Sequence, residues 1–236
     1  MSDYSGSLAT NHLIIDNAFV LHRYPYRETS FIVEFFTQYH GRISVISKGA
    51  RGMKSPLKGL LQAFTPLQMH AQGRHALKTL TLAEACGSPI TLMSRHMISG
   101  LYMNELLMRL LPKEEACATL FSIYHSALLS ISEVSLRIFE QTLLKTLGYA
   151  LPLQLIDPEA CYLFIAEQGF EPCYAHDNHK PTFFLGKHLC AIEKEDYVDI
   201  TTIAAAKRLM RLAFAPLLGN KPLKTRELIK VMYERV

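Results

Sequence analysis

The chain has 236 residues, 49% of them hydrophobic and 19% charged, with 11 Pro and 12 Gly, which excludes a disordered polymer and suggests one or two folded domains. No uncharged apolar run approaches the ~18 residues of a membrane span, and the first seven residues, MSDYSGS, lack the basic and apolar regions of a secretory leader. Five cysteines (86, 117, 161, 173, 190) are odd in number and widely spaced, so we expect a reducing, cytoplasmic home and no disulfide framework.

The net charge is only +4, but it is segregated. From Phe35 to Ala83 there is no Asp or Glu, against seven bases: Arg42, Lys48, Arg51, Lys54, Lys58, Arg74 and Lys78. Leu151 to Ala206 carries three bases and nine acids, and Lys207 to Val236 eight bases and two acids. Clustered cations concentrate a polyanion, so this pattern points to an anionic partner for the N-terminal third.

That third reads as strands. His12–Leu21 is apolar, Thr29–Tyr39 is β-branched and aromatic, and Arg42–Ser47 follows the turn His40-Gly41. Pro66–Gln72 and His75–Glu84 make a further pair around Gly73-Arg74. Five short strands with a long basic connection, Lys48–Gln62, suit a small closed barrel of the oligonucleotide-binding (OB) type, although an SH3-like barrel gives nearly the same pattern.

Beyond Pro89 the period turns helical. Helices are expected over Thr91–Leu111, over Lys113–Ser130 with Glu114 and Glu115 in its first turn, and from a Ser132 cap to Leu147 with Gly148 as its stop. Two more run from Thr201 to before Pro216 and from Lys224 onward. The overall expectation is an α+β chain: a barrel domain over 1–88, then a helical bundle over 89–236 with a small insert at about 157–199.

No phosphate loop, dinucleotide loop, nucleophile elbow or H-E-x-x-H occurs, and Gly186-Lys187 lacks the rest of a phosphate loop, so no enzymatic activity is expected. Cys173, His176, His179, His188 and Cys190 are zinc-ligand types within a short stretch, with Cys173, His176, His188 and Cys190 the candidate set. Without any C-x-x-C pair, the expectation is no metal and no other cofactor.

The nucleic-acid features are sharper. Arg23-Tyr24-Pro25-Tyr26-Arg27 alternates cation and aromatic in what reads as a proline-stiffened turn between the first two strands. Tyrosines can stack bases while arginines meet phosphates. Arg42, Lys48, Arg51, Lys54, Lys58 and Arg74 can track a backbone, and Lys207, Arg208 and Arg211, with Lys221 and Lys224, would extend that track.

Residues 18–23 (AFVLHR), 26–30 (YRETS), 41–51 (GRISVISKGAR) continuing through Leu57-Lys-Gly, 99–107, Arg137-Ile-Phe-Glu, Leu147-Gly-Tyr149, Ala206-Lys-Arg-Leu and 218–228 together resemble the RecO recombination mediators of bacteria. The resemblance implies an N-terminal OB-fold and a helical domain, with an insert that in many members holds zinc through two C-x-x-C pairs, absent here. It implies binding of single- and double-stranded DNA, strand annealing, and work with RecR to load RecA onto strands coated by single-strand-binding protein (SSB), in the cytoplasm and on the nucleoid. It also implies capture of the acidic SSB C-terminal tail, for which Arg137 is the matching cation and Leu136, Phe139 and Leu143 the groove lining. The plainer alternative for Arg137 is an intrahelical pair with Glu133 or Glu140. The alternative for the whole chain is an adaptor that docks SSB and RecR with little DNA binding of its own.

Overall fold

The computed structural model describes residues 12–233. Five strands, β1 (Leu13–Tyr26), β2 (Ser30–Thr37), β3 (Gly41–Ser47), β4 (Leu67–Gln72) and β5 (Leu77–Ala85), close in the order β1-β2-β3-β5-β4. β3 and β5 run parallel and every other neighbouring pair is antiparallel. This order, with a short helix α1 (Leu57–Leu60) between β3 and β4, is OB-fold-like. Alternation sends Val33, Phe35, Ile43, Val45, Leu67 and Met69 into the interior, where they are fully buried.

β1 is longer than its apolar run. It continues through Arg23-Tyr24-Pro25-Tyr26, pairing Tyr24 with Ile32, Pro25 with Phe31 and Tyr26 with Ser30, so this segment is strand and not the turn its proline suggests. The pairing of β1 with β4 ends at Ala18. Beyond it, among the described residues, that side of β1 carries only a single bridge, from Val20 to Ala63, and Pro25 lies past it, where a missing amide proton is tolerated.

The second unit comprises 92–111 and 117 onward, and the segment 112–116 belongs to the barrel unit. Helices α2 (Arg95–Leu110), α3 (Ala118–Leu129), α4 (Glu133–Thr146), α5 (Gly186–Glu193), α6 (Ile200–Leu218) and α7 (Lys224–Tyr233) bury apolar stripes including Leu106, Leu120, Phe139, Leu209 and Phe214. A three-stranded sheet, β7-β6-β8, lies between α4 and α5, from β6 (Cys161–Ile165), β7 (Gly169–Cys173) and β8 (Phe183–Leu185). Ser132 caps α4 in a reciprocal box with Ser135, and Gly148 beyond its end has φ +83°. α6 runs through Pro216 to Leu218, since a proline in a last turn forfeits a single backbone bond.

Lys113, Glu114 and Glu115 do not start α3. They form a strap along β3, with the Glu114 amide donating to the Arg42 carbonyl at 3.0 Å. Tertiary charge decides this: Glu114 pairs at 2.5 Å with Lys78, whose side chain is buried, and Lys113 Nζ donates to Ser44 Oγ at 2.5 Å and lies 3.5 Å from Glu34. Gly41, at φ +62°, makes room for the strap, because a Cβ there would lie 1.9 Å from the Glu115 carbonyl oxygen.

Candidate nucleic-acid interface

Strand polarity puts the β1–β2 turn and the β3–β4 connection at one end of the barrel, and the β2–β3 and β4–β5 turns at the other. The basic residues divide accordingly. Arg27, Lys48, Arg51, Lys54 and Lys58 gather at the first end, and Arg74 stands exposed at the second.

At the first end two arginines build the surface. Arg51 donates from its amide to the Thr29 carbonyl at 2.8 Å and from Nη1 to the Arg27 carbonyl at 2.6 Å, tying the basic connection to the β1–β2 turn. Strand alternation sends Arg23 to the inner side of β1, away from Tyr24. There its guanidinium lies 4.9 Å from the Phe31 ring centre, and Nη1 donates to the carbonyls of Lys58 and Leu61. Arg23 therefore holds the end of α1 in place, and its commitment to these carbonyls makes it a support for the basic loop. Lys48, Lys54 and Lys58 are exposed around this frame, and Arg27 lies over the Tyr26 ring at 5.2 Å.

Beside the frame is a side-chain row that crosses three strands on the outer face: Tyr24 opposite Ile32, and Ile32 opposite Ile46. Tyr24 is 45% exposed and meets His22 edge-on at 4.4 Å between ring centres. Ile46 lies two residues before Lys48, so an apolar shelf with an aromatic at one end runs directly into exposed ammonium groups. Flat apolar surface next to mobile cations can take a base on one side and its phosphate on the other. Ile32, Ile46 and His22 are absent from the sequence reading. The signal for them was available, because two isoleucines at outward positions of paired strands have no core to fill.

Other cations are spent within the fold. Arg42 is 3.3 Å from Glu34, a buried carboxylate that also receives Ser44 Oγ and the strap lysine. Lys78, counted within the acid-free stretch, is 4% exposed and neutralised by Glu114.

In the helical unit, Arg211, Lys221 and Lys224 are exposed. Arg109 of α2 donates to the carbonyls of Leu218, Lys221 and Pro222, while Glu105 accepts from the amides of Lys224 and Thr225 and from Thr225 Oγ1. These bonds fix the backbone that presents Lys221 and Lys224. Lys207 pairs with Glu133 at 2.9 Å. Arg208 donates to the Phe183 carbonyl and lies 4.5 Å over the Phe184 ring, with burial pushing its guanidinium pKa down.

Arg137 is 4% exposed and 3.1 Å from Glu140 on its own helix, and Tyr102 Oη donates to the other Glu140 oxygen at 2.5 Å. Burial pushes the Glu140 carboxyl up, with Arg137 and Tyr102 opposing. Arg137 Nε is buried without a hydrogen-bond partner. Leu136, Phe139 and Leu143 are buried in the helical core. The zinc candidates do not converge. Cys173 faces Cys161 across β6–β7, His176 stacks on Tyr174, His188 Nδ1 lies 2.9 Å from Thr202 Oγ1, and Cys190 Sγ donates to the Ile156 carbonyl. Among the described residues no three His, Cys, Asp or Glu side chains are grouped to hold a metal.

The family model described as "Recombination protein O N terminal" matches residues 12–89, and "Recombination protein O C terminal" matches 95–227. The chain is 41% identical over 225 residues to the DNA repair protein RecO of Actinobacillus pleuropneumoniae serotype 3, covering 90% of this chain and 92% of that one. It is 42% identical over 231 residues to that of Pasteurella multocida (91% and 95%) and 39% over 232 residues to that of Coxiella burnetii strain RSA 331 (93% and 99%). The chain belongs to the RecO family of DNA repair proteins.

Within the RecO family match, the boundary of the N-terminal region at residue 89 leaves out the strap at 112–116, which packs with the barrel all the same. Among the described residues no helix is long and apolar enough to cross a membrane.

Proposed function

We propose that this RecO-family chain is a DNA-binding recombination mediator that binds single- and double-stranded DNA and anneals complementary strands. The observation that carries the reading is the Tyr24–Ile32–Ile46 shelf running into Lys48, beside the Arg51-tied loop that presents Lys54 and Lys58. Bases would lie on the shelf and phosphates on the lysines, an arrangement tolerant of sequence. Annealing then needs only that the charge of two polyanions be lowered enough for them to approach, so the activity draws on no cofactor and makes no covalent bond. Arg211, Lys221 and Lys224 would add a second set of phosphate contacts.

The same reading has the protein act with RecR to load RecA onto SSB-coated strands, in the cytoplasm and on the nucleoid. The SSB tail is its further partner. Because Arg137 is held by Glu140, a tail carboxylate would reach it only by displacing Glu140, and the buried Arg137 Nε offers such a carboxylate an unused donor.

The adaptor reading has one observation in its favour: Arg23, Arg42, Arg51 and Lys78 serve the barrel itself, which thins the cationic surface. A strand-annealing assay with plain and SSB-coated oligonucleotides, run across a salt series, decides. Salt-dependent binding and annealing of bare strands support the mediator. Binding of SSB and RecR with no affinity for bare DNA supports the adaptor.

A further inference from the structure

The small sheet of the helical unit sets two thiols at one register position. Cys161 opens β6, Cys173 closes β7, and the antiparallel ladder places them directly opposite one another. Opposed residues of such a pair have Cα atoms about 4.5–5.5 Å apart and send their side chains to the same face. A disulfide closes over Cα separations of roughly 4.4–6.8 Å, so the backbone is already in position. Both thiols are free and part-exposed. The other cysteines are placed differently: Cys190 Sγ is committed to the Ile156 carbonyl at 3.4 Å, Cys117 is buried, and Cys86 belongs to the barrel unit.

We propose that Cys161 and Cys173 are an oxidisable pair, a modification site that forms a reversible cross-strand disulfide with a low-molecular-weight disulfide as oxidant. In the first step Cys161 Sγ gives up its proton and attacks one sulfur of the small disulfide. That S–S bond breaks, and the departing sulfur takes up a proton as a thiol. In the second step Cys173 Sγ attacks Cys161 Sγ, expels the remaining small thiol and loses its own proton to it. Two protein thiols are oxidised to one disulfide while one small disulfide is reduced to two thiols.

The surroundings assign the order. Burial and then the Asp177 carboxylate push the Cys173 thiol up, with Lys180 opposing, so Cys173 is a poor first nucleophile and acts as the resolving partner. Asp177 and Lys180 are themselves paired at 2.7 Å on the 3₁₀ turn Ala175–His179 and its cap. β7 is an outer strand carrying Pro172, which has no amide to give to a ladder. The new bond would fasten its end, and the turn that follows, to the central strand β6.

The test uses the full chain, reduced and then incubated with oxidised glutathione, digested without reductant and analysed by peptide mass. Free thiols should fall from five to three. The Cys161 and Cys173 peptides should appear joined, the link should revert with dithiothreitol, and Cys161→Ser should abolish it while Cys190→Ser leaves it intact. Cys173→Ser should trap glutathione on Cys161, whereas Cys161→Ser should leave Cys173 largely unmodified. In the parent chain, a stable glutathione adduct on either cysteine, or a link made through Cys190 or Cys86, would overturn the proposal. Glutathione held on Cys173 in Cys161→Ser but absent from Cys161 in Cys173→Ser would overturn the assigned order. Because all these readouts are covalent, they are independent of whether the protein binds DNA.

Discussion

The guanidinium of Arg51 reaches back to the carbonyl of Arg27 at 2.6 Å, so the basic connection after β3 is tied to the β1–β2 turn before any nucleic acid arrives. Arg51 and the neighbouring lysines therefore do different work. Each of Lys48, Lys54 and Lys58 that meets a phosphate should contribute about 0.7 to the log–log salt slope for single strands, or about −2 for the three together. Lys54→Ala should flatten the slope by about 0.7, equally for all sequences. Arg51→Ala should weaken binding by more than one lost charge allows, since it releases two loops. Equal effects of the two substitutions would make Arg51 an ordinary phosphate contact.

Tyr24 tests the shelf itself. Tyr24→Ala should cost about 1–3 kcal/mol in affinity for single strands, the usual worth of a stacked base, and leave the salt slope unchanged. Duplex DNA, whose bases are already stacked, should bind the variant almost as well as the parent. A matching loss on duplex would count against base stacking at this position.

Gly41 is the most closely approached glycine of the barrel. Any side chain there pays the left-handed backbone penalty of about 1–2 kcal/mol and must also push the Glu115 carbonyl aside. Gly41→Ala should therefore lower unfolding free energy by more than about 2 kcal/mol in urea titration, while Lys113→Ala, which removes a half-exposed pairing, should cost well under about 1 kcal/mol.

Arg137→Ala leaves the Glu140 charge buried without its paired guanidinium, with the Tyr102 hydrogen bond and the field of Arg226 remaining, and should destabilise by about 3–5 kcal/mol. Replacing both partners, Arg137→Met with Glu140→Leu, should recover much of that loss in a double-mutant cycle. A tail-binding defect measured only in Arg137→Ala would thus mix recognition with unfolding, whereas Arg137→Lys, which keeps the charge but not the fork, separates them.

His188 predicts a pH dependence. Burial, then the neighbouring Lys187, hold its pKa below the ordinary histidine value, with Asp199 opposing. The unfolded chain then takes up a proton before the folded one does. The stabilisation is complete above the unfolded pKa of about 6.5 and is lost as the pH falls through the folded value. Thermal midpoints of the parent and His188→Gln should run parallel above neutrality and diverge below pH ~6.5, the parent losing more. Parallel curves throughout would remove His188 from the account.

The barrel was legible because alternation in Arg42–Ser47 and Pro66–Gln72 is a local signal, and the ladder reads it out directly. The Ser132 cap and the stop at Gly148 were legible for the same reason. What escaped depended on distant chain. Pro25 looks like a turn until one knows that β1 has lost its β4 neighbour by that point. Glu114 and Glu115 look like a helix start because the buried Lys78 that claims Glu114 is 36 residues away. The pairing of Arg137 with Glu140 was visible as a spacing, but its burial was not, since it depends on how α4 packs within the bundle.

The strap at 112–116 bears on how this protein can be dissected. A fragment cut near residue 91, where the barrel's own strands are complete, would keep Lys78 and Glu34 but discard Glu114 and Lys113. It would expose the part of β3 that the strap covers and leave the Lys78 ammonium in the barrel wall short of its counter-charge, whereas Glu34 would keep Arg42. The genetic order of the chain is therefore not its order of assembly: the barrel is finished by residues made after α2, and a ribosome must release them before this OB-like unit has all its parts.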